Sequence, residues 1–158
     1  MKKFELTSEF ITNCFGTKLF RIKALIEFGN VNTGELGGYL EKEENLSQSG
    51  NAWVYGNARV YGNARVSGNA EVSGDADYAI AKGFGSEFRT TTFFKTKDES
   101  IGVKCGCFYG TLDEFRQKVK ETHKDSKKAV EYLMLADLME YRFLGTVGEN
   151  PIDEREGK

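Results

Sequence analysis

Residues 50–79 read GNAWVYGNARVYGNARVSGNAEVSGDADYA, a glycine-led hexad given five times with the last copy degenerate. Ala and Val stand two apart in each clear copy (Ala52 and Val54, Ala58 and Val60, Ala64 and Val66, Ala70 and Val72), so in an extended segment they share one face. That face is expected to be the interior. The residue between them, successively Trp53, Arg59, Arg65, Glu71 and Asp77, then points to solvent, and Gly-Asn supplies a corner where positive φ is tolerated.

A strand of about four residues and a two-residue corner, repeated without interruption, predict a short parallel β-helix with three hexads to a coil. Counting back in sixes from Ala52 reaches Leu46 and Leu40, and the register fails forward at Lys82, so the solenoid is expected over residues 38–81. Residues eighteen apart should stack, placing Trp53 by Glu71, Arg59 by Asp77 and Asn57 by Asp75.

The flanks read as caps for the open coil ends. Residues 1–37 form an N-terminal β cap, with Phe20, Ile22 and Ala24 on the buried side of a strand. Residues 82–146 form a C-terminal module. In it Arg89 to Lys97 and Ile101 to Phe108 make a β-hairpin, and a capping box at Thr111 and Glu114 starts a helix. A second helix runs from about Lys127 to Phe143, with Ala129, Leu133, Ala136, Met139 and Phe143 on one face. The charged stretch at 147–158 is a flexible tail.

Composition narrows the function. The chain has 158 residues, 22 basic and 24 acidic, with 18 glycines and one proline. A formal charge of −2 argues against general nucleic-acid or membrane-surface binding. No stretch reaches the ~20 apolar residues of a membrane span, and the N-terminus lacks the apolar core of a secretion signal, so a cytoplasmic location is expected. Cys14, Cys105 and Cys107 should then be thiols. Cys105 and Cys107 share a face of one predicted strand, but no further ligand pair completes a zinc site, and buried thiols are the expectation. His123 is read as a linker residue between the helices rather than a general base. The turn before Thr111 is read as ordinary capping rather than a phosphate site. No cofactor or metal is expected.

Trp53, Tyr55, Arg59, Tyr61 and Arg65 are the candidate binding set, because aromatic and guanidinium groups on a regular surface suit an interface or stack on a nucleotide. Arg89, Lys104 and Tyr109 of the C-terminal module extend it. The competing reading is a solvated face with an Arg59–Asp77 pair of little worth.

The hexads resemble those of left-handed β-helices, although Tyr55, Tyr61, Ser67 and Ser73 stand where that family usually has a small or acidic residue. With LFRIKAL (Leu19 to Leu25), GELGGYLEKEENLSQSGNAWVYGNA (Gly34 to Ala58) and GCFYGTLDEF (Gly106 to Phe115), the chain resembles, over residues 17–144, a group of small phage and prophage accessory proteins. The resemblance supplies no catalytic residues. It implies a phage accessory protein. Taken with the Trp53, Tyr55, Arg59, Tyr61 and Arg65 surface, it leads to the expectation of a non-enzymatic binding protein in the host cytoplasm that counters host antiviral defence, by sequestering a nucleotide-derived signal or by blocking a host defence protein. The alternatives are a structural or assembly protein of the phage and a hexapeptide-repeat transferase. Self-association is expected, as a homo-oligomer with the trimer typical of similar coils.

Overall fold

The computed structural model describes residues 2–145: a mainly β chain with two C-terminal helices. Strands β1 (Phe4–Thr12), β2 (Lys18–Ala24), β3 (Leu36–Leu40) and β5 (Arg59–Val60) form a mixed sheet in that order, and β4 (Trp53–Val54) pairs in parallel with β6 (Glu71–Val72). Strands β7 (Tyr78–Phe84), β8 (Arg89–Lys95), β9 (Ile101–Cys105) and β10 (Phe108–Thr111) form an antiparallel sheet, followed by α1 (Leu112–His123) and α2 (Lys127–Leu144).

The expected β-helix is not the architecture. Pairing is divided among three sheets, only one of them purely parallel and that one two-stranded. The hexads yield strands of two residues, and the third makes only a bridge from Val66 to Leu46, its backbone held by the Asn45 amide donating to Gly62 O and Ala64 O. Trp53 does pair with Glu71, but Leu40 pairs with Val60 and Leu46 with Val66, twenty residues on rather than eighteen. Two extra residues fall between Ser47 and Asn51, because Ser47 N–H donates to Val66 O while Asn51 N–H donates to Gly68 O. The insertion contains Gln48, whose side chain accepts from the backbone of Lys3 and Phe4 and so fastens β1 to the repeats. Downstream the register ends at a 3₁₀ turn over Asp75–Asp77. Arg59 therefore pairs with Asp75 (3.3 Å), and Asp77 accepts from Ser73 and Gly74 N–H.

The Ala and Val positions of the repeat are buried as their alternation requires, joined by Phe4, Ile22, Leu40 and Leu46 in one core. Glycines 50, 56, 62 and 68 turn the corners with φ between +60° and +75°. Trp53 departs from expectation, being fully buried under Phe4 and Phe28, whose ring centroids lie 6.2 and 5.2 Å away. A face that alternation assigns to solvent is covered by chain from the N-terminal sheet.

The same cover buries Lys3, whose Nζ donates to Ala52 O (2.8 Å) and Gly50 O (3.3 Å) and sits over the Phe28 ring. Burial brings its pKa down from 10.5 to about 8. Between those values the unfolded chain holds a proton that the folded chain has released, so stability rises as pH increases from about 8 to 10.5. The rise from this group is on the order of 3 kcal/mol. Urea titrations across that range should find it in the wild type and not in Lys3→Met; an equal rise in the variant would assign it to other groups.

A second core lies between the antiparallel sheet and the helices, built on Phe93, Val103, Phe115, Tyr132 and Ala136. Both helices begin as the sequence predicts: Thr111 and Glu114 form the capping box, and Ser126 Oγ accepts from Ala129 N–H. Arg116 joins α1 to α2 through Asp137 (2.9 Å) and Glu140 (2.7 Å). No helix among the described residues is long and apolar enough to cross a membrane. The expected tail at 147–158 lies outside the described residues.

Candidate ligand-binding cleft

The proposed binding set does not converge. Trp53 is in the core, and Tyr55 is half-buried against the repeat. Arg65 joins the two halves of the molecule, its N–H donating to Thr92 Oγ1 and its guanidinium to Glu44 O. Tyr109 stacks on Phe94 at 6.3 Å and donates to Asn69, while Lys104 Nζ donates to Gly106 O. Arg59, Tyr61 and Arg65 remain exposed on the repeat, and Tyr61 lines a hollow of about 270 Å³ with Asp75, Tyr78, Ile80 and Arg142.

Arg89 belongs to a different place. It stands at the start of β8, on the rim of a cleft of about 230 Å³ between the antiparallel sheet and the two helices. The hairpin and the capping box create this cleft together: β9 ends at Cys105, Gly106 turns the chain with φ +58°, and β10 returns it directly into α1. Residues 101–108 are therefore not one strand as predicted. Cys105 and Cys107 fall on either side of a tight turn, Cys105 half-buried and Cys107 exposed, both free.

Phe108, Phe115, Val119 and Tyr132 form the apolar wall, with Phe115 meeting Tyr132 edge-on at 5.4 Å and Phe108 at 5.8 Å. α1 contributes Phe115, Lys118, Val119, Thr122 and His123, the members of one helical face at spacings of three and four. His123 is the last residue of α1 rather than a linker residue, and its ring lies 5.7 Å from that of Tyr132.

Tyr132 is the fixed point of the wall. Its hydroxyl donates to Phe84 O (3.1 Å), and a Cβ at Gly85 would displace that hydroxyl. Burial and the neighbouring Cys105 push its pKa up to about 12, so it stays a neutral phenol near pH 7. The Cys105 thiol accepts from Thr91 Oγ1 at 3.2 Å. Arg89 lies across Gly106, where a Cβ would come within 2.9 Å of its side chain. Neither Arg89 nor Lys118 has an ion-pair partner among the described residues, and Glu87 is the one carboxylate lining the cleft. Among the described residues no three His, Cys, Asp or Glu side chains gather closely enough to hold a metal ion.

A short aromatic wall edged by two unpaired cations can hold a small ligand that combines a flat ring with an acidic group. Of the residues the sequence proposes for binding, Arg89 alone lines this cleft; the others that line it were not proposed, although the one-sided spacing of Phe115, Val119 and His123 marks a shared helical face. The molecule is thus a mainly β protein with a helical pair, and a cleft lined by aromatic and cationic side chains lies between its antiparallel sheet and those helices. No family model matches the chain, and no curated protein sequence matches it.

Proposed function

We propose that the protein is a non-catalytic binding protein for a nucleotide-like anion, acting to sequester a nucleotide-derived signal of host antiviral defence. The observation that carries the ligand class is the pairing of the Phe108, Phe115 and Tyr132 rings with unpaired Arg89 and Lys118 around one cleft. A base lies against the cleft-facing edge of this ring wall, and its phosphate meets the cations. The resemblance to phage accessory proteins supplies the setting, and the neutral, hydrogen-bonded Tyr132 favours holding a ligand over transferring protons to it.

The test is calorimetry against nucleoside monophosphates, cyclic mononucleotides and cyclic dinucleotides, followed by heating the complex and identifying what is released. Binding of at least one of these and release of intact ligand are expected. Arg89→Ala and Lys118→Ala should each weaken binding about tenfold or more, the cost of a charge-assisted contact, while leaving the unfolding curve in place. Silence across the panel, chemically altered ligand, or affinity indifferent to both substitutions would overturn the proposal.

A further inference from the structure

The outer face of α2 is apolar as well as the inner one. Val130, Met134, Leu138 and Tyr141 are 51–66% exposed. At 3.6 residues per turn they lie within an arc of about 80°, opposite the buried Ala129, Tyr132, Ala136 and Met139. An amphipathic helix needs only one apolar face, and this one carries two. The thirteen residues after Gly145 offer Val147, Pro151 and Ile152 as apolar side chains against six charged ones, a poor match for such a stripe.

We infer that this face is the contact surface of a two-fold homodimer, in which α2 packs antiparallel against α2 of a second copy. The inference is independent of the cleft. A two-fold contact must be self-complementary, and the stripe is centred near residue 136, so positions whose numbers sum to about 272 face each other. Met134 then meets the partner's Leu138, and Val130 meets the partner's Tyr141.

That register, fixed by the apolar residues alone, also sets Glu131 beside the partner's Arg142. Both lie on the same flank of the stripe, and in an antiparallel pair equivalent flanks face one another, so the opposite charges meet twice across the axis. Neither residue has an ion-pair partner among the described residues. Lys127 and Lys128, in the first turn of α2, come to the partner helix's C-terminal end, where the helix dipole favours cations. A single pair of helices about 27 Å long is a small interface, which suits a dimer that dissociates on dilution.

Sedimentation equilibrium of the full chain across a wide concentration range tests this. A reversible monomer–dimer equilibrium is expected, weakened at least tenfold by Met134→Glu with Leu138→Glu, both at exposed sites where circular dichroism should be unchanged. Glu131→Arg alone should also weaken it, and adding Arg142→Glu should restore it. A monomer at every concentration, a trimer, association untouched by the Met134 and Leu138 changes, or failure of the charge exchange to restore it would overturn the inference.

Discussion

Trp53→Ala should lower the unfolding free energy by about 3–5 kcal/mol, the cost of deleting a large aromatic from a packed interior. For a domain of ordinary stability, about 5–15 kcal/mol, this takes a large share of the total. The size follows from where Trp53 sits: its side chain is fully buried and held edge-on by Phe4 and Phe28, so its removal loosens the N-terminal sheet and the repeat at once. Among the described residues its Nε1 has no hydrogen-bond partner. Trp53→Phe, which removes that donor while keeping a ring, should therefore cost much less than Trp53→Ala. Urea unfolding of the two variants separates this arrangement from the exposed position that alternation predicts, at which both changes would lie within about 0.5 kcal/mol of wild type.

Gly38→Ala is the second large effect. A Cβ there would stand 2.5 Å from Ala58 O and 2.7 Å from Val54 Cγ1, and the carbonyl cannot swing aside because it accepts from Tyr39 N–H in the parallel pairing of β3 with β5. The two strands must move apart, and a loss of more than about 3 kcal/mol or failure to fold is expected, as for severe overpacking. Gly56→Ala is the control. It has open space around it but a φ of +60°, so only the left-handed penalty of about 1–2 kcal/mol applies. Urea midpoints that rank the two the other way would contradict the close approach of β3 to the repeat.

Local rules read correctly what local chemistry controls. Thr111 with Glu114 starts α1, α2 begins at Lys127, and Asp98 to Ser100 lie in the loop between β8 and β9, because in each case the signals are a few residues apart. The Ala and Val alternation also named the buried face of the hexads. What it could not supply was the use made of that face. A two-residue insertion around Gln48 shifts the upstream pairing from eighteen to twenty, and nothing in the hexads announces it, because its role is to accept hydrogen bonds from Lys3 and Phe4, more than forty residues away. Trp53 was misplaced for the same reason, since burial by a distant strand overrides alternation. The cleft was hidden more deeply: its lining comes from the β7–β8 turn, three strands and both helices, and each residue taken alone passes for core, cap or solvated surface.

The most direct measurement is an amide chemical-shift titration of the full-length protein with the tightest-binding member of the nucleotide panel. Binding in the cleft predicts shifts concentrated at Arg89, Cys105, Phe115, Lys118, Val119 and His123, with a midpoint at about tenfold or more higher ligand concentration in Arg89→Ala. Shifts gathered instead around Tyr61 and Tyr78, or none at saturating nucleotide, would contradict it.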